Sequence, residues 1–165
     1  MRFEDGKASL VCDYCKQVYV PEKNEDGARV FDEQSGVACP VCSAPLFHAA
    51  MAGHRILYCT HCHGSLIAMA VFEALVADLR VEWRKTPGNP HTPNPKELER
   101  RLICPQCRQP MDTHYYCGPG NVVIDDCSRC ELDWLDAGEL ASIARAPDHS
   151  YTPESESISD YSANY

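Results

Sequence analysis

No stretch of this chain is apolar for long enough to cross a bilayer. The longest candidate, SLIAMAVFEALVADL from Ser65, is interrupted by Glu73 and falls short of the ~20 residues a membrane helix needs. The N-terminal MRFEDGKASL holds no apolar core of the kind a signal peptide requires. Positive charge is scarce as well: 15 Lys and Arg stand against 24 Asp and Glu, a formal net charge of −9. Non-specific nucleic-acid binding draws its affinity from Lys and Arg displacing counterions, so this balance works against it. The H-E-x-x-H, P-loop and G-x-G-x-x-G motifs are missing, as is the H-x-E with P-C-x-x-C of zinc deaminases. We therefore expect a soluble cytoplasmic protein with no membrane role and no catalytic activity.

What the chain has in plenty is cysteine, 11 in 165 residues. Ten of them form five C-x-x-C pairs: Cys12/Cys15, Cys39/Cys42, Cys59/Cys62, Cys104/Cys107 and Cys127/Cys130. In a reducing compartment such pairs read as metal ligands before disulfides. A C-x-x-C turn places two sulfurs on one side of a tight knuckle, and two knuckles complete a tetrahedron around zinc. Joining Cys39/Cys42 to Cys59/Cys62 leaves 16 residues between knuckles, and joining Cys104/Cys107 to Cys127/Cys130 leaves 19. Both fall in the window for four-cysteine zinc sites. A ribbon of that size buries too little apolar surface to fold alone, and structural zinc supplies roughly 10–16 kcal/mol in such units. Sites with four cysteines are closed, with no position left to activate water.

The two halves repeat each other. CPVCSAPLFHAAMAGHRILYCTHCHGSLI from Cys39 and CPQCRQPMDTHYYCGPGNVVIDDCSRCELDWL from Cys104 share one order of features. Each has a C-P-x-C knuckle, a Pro and an apolar residue, a Gly turn, an apolar stretch and a second knuckle. The apolar stretches, Ile56–Tyr58 and Val122–Ile124, predict short strands of a hairpin. Leu66, Met69, Phe72, Val76, Leu79 and Trp83 then recur at helical steps and predict an amphipathic helix with its stripe in the core. DAGELASIARA predicts a second helix, with Asp136 placed to cap it and Glu139 three residues on, close to a capping box. The adjacent Asp125 and Asp126 are expected as turn or strand-end residues. Thr86–Pro95 holds four prolines and predicts a stiff linker. The polar, acidic tail from Pro147 lacks apolar periodicity and is expected to be disordered.

The expected fold class is a small metal-stabilised α+β protein of tandem zinc ribbons, short β-hairpins with C-x-x-C knuckles, each followed by an α-helix. Its expected divisions are an N-terminal knuckle segment (1–38), ribbon 1 with its helix (39–85), a Pro-rich linker (86–97), ribbon 2 with a short helix (98–146) and the tail (147–165).

CPVC…LYCTHCHGSLI, and above all CPQC…VVIDDCSRCELDWLDAGEL, resembles the transcription-factor zinc-finger family of zinc ribbons. The second repeat carries that family's W-L-D and G-E-L at Trp134–Asp136 and Gly138–Leu140. The first keeps its cysteines and Gly64 but has SLIAMAVFEAL in their place. The resemblance implies that Cys39, Cys42, Cys59, Cys62, Cys104, Cys107, Cys127 and Cys130 are zinc ligands. It does not by itself imply a role in transcription, since fold is not function.

One pair is left over. Cys12 and Cys15 could take their other two ligands from His114 and Cys117, or from His48, His54, His61 or His63, or they could pair across a dimer or stand as a free dithiol. Two zinc ions are expected, and this pair leaves room for a third. CDYCKQVYVPEKNEDG…VACPVCSAP also resembles rubredoxin, in which two knuckles hold one electron-transferring iron. Lys16 and Ser43, however, stand where that family has Gly. For nucleic acid the candidate stretch is Arg80, Arg84, Lys85, Lys96, Arg100 and Arg101, offset by Glu82, Glu97 and Glu99 and lacking an aromatic stacking platform. The expected function is zinc-stabilised interaction with a protein partner, as a transcription-associated or assembly adaptor. The alternative from another class is redox, a thiol switch at Cys12/Cys15 or an iron electron carrier.

Overall fold

The structure is a computed structural model that describes residues 2–3, 9–83, 95–117 and 121–146. Arg84 and Lys85, most of the proline-rich linker, the Gly118–Gly120 turn and the acidic tail lie outside the described residues. Three two-residue strands come first: β1 (Arg2–Phe3), β2 (Leu10–Val11) and β3 (Val18–Tyr19), forming a small antiparallel sheet in that order. Then follow β4 (Arg29–Ala38), β5 (Pro45–Met51), β6 (His54–Tyr58), β7 (Ser65–Ala68) and helix α1 (Met69–Trp83). A 3-10 turn at Pro95–Glu99 leads into β8 (Asp112–Tyr115), β9 (Val123–Cys127), β10 (Leu132–Leu135) and helix α2 (Glu139–Arg145).

The larger sheet has seven strands in the order β4-β5-β6-β7-β10-β9-β8. The β5–β6 hairpin closes on Ala52 and Gly53, whose φ angles of 46° and 87° are both left-handed. A two-residue turn of this hand matches the twist of the strands it joins. β4 lies along the outer side of this hairpin and extends the first ribbon by one strand, an addition that the repeat pattern does not announce.

The two repeats meet edge to edge. β7 pairs antiparallel with β10, with Leu66 opposite Trp134 and Ile67 opposite Asp133. Leu66 and Trp134 occupy the same place in their repeats, each the fourth residue after its last knuckle cysteine. Equivalent residues facing each other across an antiparallel pair define a local two-fold axis, so the ribbons are joined as the halves of a symmetric dimer would be. Here the helical reading of the apolar run gives way: Leu66 lies in strand β7, and the helix starts at Met69. Pairing on both sides, with β6 and with β10, fixes Ser65–Ala68 as a strand despite its helical spacing.

Strand alternation then sends side chains to two cores. Ile67 and Leu135 point to the helical side, where Phe72, Leu75, Val76 and Leu79 of α1 pack with Leu140 and Ile143 of α2. Leu66 and Trp134 point the other way, into a cluster that includes Cys39, Cys59, Cys104 and Cys127. Each fully buried aliphatic side chain contributes roughly 1.5–3 kcal/mol. Among the described residues no helix is long and apolar enough to cross a membrane.

At the start of α2, Glu139 Oε2 accepts the backbone N–H of Asp136 at 2.6 Å, one half of the expected capping box. The other half is not made. The Asp136 carboxylate instead takes Trp134 Nε1 at 2.9 Å and the Arg100 guanidinium, and Gly138, at φ 83°, is the residue that precedes the helix. Tertiary partners have outcompeted the local cap.

Candidate metal centres

Every C-x-x-C in the chain has one backbone feature in common. The residue after the second cysteine, Lys16, Ser43, His63, Arg108 or Glu131, has a φ between 55° and 63°. Non-glycine residues rarely adopt this conformation. Hydrogen bonds account for it at four of the knuckles. The first cysteine's N–H reaches the carbonyl of the residue five further on (Cys39 to Ala44 at 2.8 Å, Cys59 to Gly64 at 2.9 Å, Cys104 to Gln109 at 2.8 Å). Its own carbonyl accepts the N–H of Ser43, His63 or Arg108 at 2.9–3.0 Å. Cys12 does the same with Gln17 and Lys16, both at 2.9 Å. Lys16 and Ser43 therefore replace glycine in sequence without changing the shape of the turn.

The hairpins bring these knuckles together in pairs. Cys39, Cys42, Cys59 and Cys62 form one group and Cys104, Cys107, Cys127 and Cys130 another, with the ligand atoms of each within 4.8 Å of one another. The Cys39–Cys62 sulfurs are 3.6 Å apart, Cys42–Cys59 3.5 Å and Cys107–Cys127 3.6 Å. A tetrahedron with arms of about 2.3 Å has edges of about 3.8 Å, close to these separations. A disulfide would bring sulfurs to about 2.05 Å; all the cysteines are free thiols. In the first group the Val41 and Cys42 N–H groups point at Cys39 Sγ at 3.4 Å, and that of Cys62 points at Cys59 Sγ at 3.5 Å. Such donors favour the ionised sulfur.

The thiols in each group are divided in their acidity. The backbone N–H of Ala44 is the main influence lowering Cys42 to about 6, and that of Gln109 lowers Cys107 to about 7. Burial pushes Cys39 up to about 11, Cys130 up to about 12, and Cys62 upward too. Four thiolates packed this closely repel, and a divalent cation is the counter-charge that lets all four ionise together. The donor set, its spacing and its closed four-sulfur shell suit zinc.

Residues 103–146 match the transcription factor zinc-finger family. No curated protein and no solved structure matches the chain. The family match covers the second zinc ribbon; the first is tied to it by the internal repeat and by its own four-cysteine group. Together the two groups fit tandem zinc ribbons with two zinc sites.

Cys12 and Cys15 join neither group, nor any third cluster of potential ligands among the described residues. The rubredoxin-like pairing with Cys39/Cys42 is not formed, because the β5–β6 hairpin returns Cys59/Cys62 to those sulfurs instead. His114 and Cys117 do not complete the pair either. Both His114 ring nitrogens are engaged, Nε2 with Asp126 at 2.9 Å and Nδ1 with the Tyr115 carbonyl at 3.0 Å. His54 is held by Asp78 at 2.7 Å, and His63 by Asp26 at 2.8 Å and Tyr58 at 2.9 Å. That last trio fastens the segment before β4 onto the second knuckle of ribbon 1.

Sequence reading missed a charged network beside the second group. Asp125, fully buried in β9, accepts Arg100 Nε at 3.1 Å, a second Arg100 nitrogen and the Thr113 hydroxyl. Arg100 also binds Asp136, whose carboxylate holds Trp134. One arginine thus links the segment before β8 to β9 and to the turn before α2. The adjacency of Asp125 and Asp126 hinted at strand-end residues, and nothing in the sequence pointed to Arg100 as the partner of Asp125.

Proposed function

We propose that this chain is a zinc-stabilised interaction module, two four-cysteine ribbons fused into one sheet that presents a rigid surface to a protein partner. The observation that carries this reading is the closed donor set: each group uses four cysteines and leaves no ligand position for water or substrate. A protein partner is favoured over nucleic acid because two basic side chains of the candidate stretch, Arg80 and Arg100, are used within the fold. Arg100 binds Asp125 and Asp136, and Arg80 donates to the Ile143 carbonyl at 3.3 Å. Nearby, Arg145 stacks 4.6 Å from the Trp83 ring centre and Lys23 pairs with Glu82. The kinship of the second ribbon makes transcription or assembly complexes the natural setting for such an adaptor.

Native mass spectrometry of the reduced chain should find at least two zinc ions per chain, retained against a weak chelator and lost together with sheet signal in a strong one. Fluorescence anisotropy with duplex DNA should show no salt-sensitive binding. Fewer than two zinc ions, or a well-folded chain after complete metal removal, would refute the structural role; DNA binding that weakens steeply with salt would refute the choice of partner.

A further inference from the structure

The Cys12–Cys15 knuckle is built as half of a metal site, although nothing among the described residues completes it. Cys12 N–H reaches the Gln17 carbonyl and Lys16 N–H the Cys12 carbonyl, both at 2.9 Å, as at Cys39, Cys59 and Cys104. Lys16 takes a left-handed φ of 59°, a conformation that non-glycine residues rarely adopt. The turn therefore has the backbone shape of the knuckles at Cys39, Cys59 and Cys104, each of which contributes to a four-cysteine group.

The surroundings point the same way. Cys15 is exposed and Cys12 partly so. Tyr14 is 97% exposed, and Val18, Tyr19 and Val20 are exposed in sequence beside it. Val18 and Tyr19 form β3, the edge strand of the small sheet, and an apolar strand at a sheet edge is an unfilled pairing site. The ribbons have already taken eight of the ten knuckle cysteines.

We propose that Cys12 and Cys15 from two copies of this chain bind one zinc ion between them and so close a dimer. A half-site needing two more thiolates on the same kind of knuckle is complemented by its own copy across a two-fold axis, and a strand edge pairs antiparallel with itself about an axis of the same kind. Apolar side chains around the metal would be covered in the same contact. On binding, four thiols lose their protons to solvent and the zinc accepts four thiolate lone pairs; nothing is oxidised or reduced. The inference rests on the zinc chemistry of the ribbons, not on the identity of any partner protein.

Sedimentation velocity and native mass spectrometry on the full chain, reduced and titrated with zinc, test this. The expected result is a dimer of twice the chain mass carrying five zinc ions. Cys12→Ser/Cys15→Ser should be a monomer with two zinc ions and an unchanged circular dichroism spectrum. A weak chelator should remove one zinc from the dimer and release monomers that keep two each. A zinc-replete monomer with two or three zinc ions, or a dimer that survives in the double variant, would overturn the proposal. The zinc count of the double variant reports on the ribbons separately, so failure of the dimer is distinguishable from failure of the structural-zinc reading.

Discussion

Gly64→Ala should wedge the two ribbons apart. A Cβ at Gly64 would lie 2.2 Å from Cζ2 of Trp134, 2.7 Å from Cη2 and 3.0 Å from Cε2. The indole would have to retreat by about 1 Å, the gap between 2.2 Å and the 3.4 Å at which ordinary contact begins. It has no free direction, since Trp134 is fully buried among cysteines of both groups and its strand is locked in register opposite Leu66. Overpacking of a filled interior costs about 1–3 kcal/mol, and we expect the upper end here. All three colliding atoms belong to the six-membered ring of the indole, which reaches further than a phenyl ring. Trp134→Phe should therefore relieve the clash while opening a cavity of its own, and the double variant should be more stable than the sum of the single effects by about 1 kcal/mol or more. Urea unfolding of the zinc-loaded protein, followed by circular dichroism, reads both quantities. A Gly64→Ala protein within about 0.5 kcal/mol of the parent, or one showing no coupling to position 134, would refute the account of the seam.

Arg100→Ala strands the buried Asp125 carboxylate and should lower stability by about 3–5 kcal/mol in thermal or urea unfolding; a loss below about 1 kcal/mol would mean that solvent or Thr113 replaces the guanidinium. Glu139 is held at about 8 in the fold, chiefly by burial, against an ordinary value of 4.5. A raised carboxyl contributes stability that is complete below the unfolded value and is lost as pH rises through the folded one. Glu139→Gln keeps an oxygen for the Asp136 N–H and cannot ionise, so its stability relative to the parent should increase from pH ~6 to pH ~9; parallel pH profiles would contradict this. Ala52→Asn places a residue suited to left-handed φ beside Gly53 in the β5–β6 turn and should raise the urea midpoint by the equivalent of about 0.5 kcal/mol, where no gain would argue against the turn described here.

The two four-cysteine groups were legible in the sequence because a tetrahedral metal site imposes its own spacing. Two sulfurs per knuckle and a hairpin-length gap leave few ways to place eight cysteines, and the structure groups Cys39, Cys42, Cys59 and Cys62 apart from Cys104, Cys107, Cys127 and Cys130 as that spacing requires. The junction between the ribbons was not legible. SLIA reads as the start of a helix by spacing, and its pairing with β6 on one side and with LDWL, distant in the chain, on the other makes it a strand. Long-range pairing of this sort overrides local propensity and leaves little trace in one segment alone. Arg100 shows a related blindness. An arginine in a stretch of mixed charge looks solvated, and its role depends on an aspartate buried far along the chain. The same holds for Asp136, which a local pattern assigned to capping and which Trp134 and Arg100 claim instead.

Placing both ribbons in one chain has freed the seam from symmetry. When two identical subunits meet on a two-fold axis, every residue at the contact occurs twice, and a bulky side chain must find room beside its own copy. Here the position of Leu66 in one repeat is held by Trp134 in the other, and that of Gly64 by Leu132. One half therefore supplies the protrusion and the other the recess into which it fits. Two copies of either half alone would place ring against ring or leave both recesses empty, so the chain's own halves recognise each other in preference to themselves.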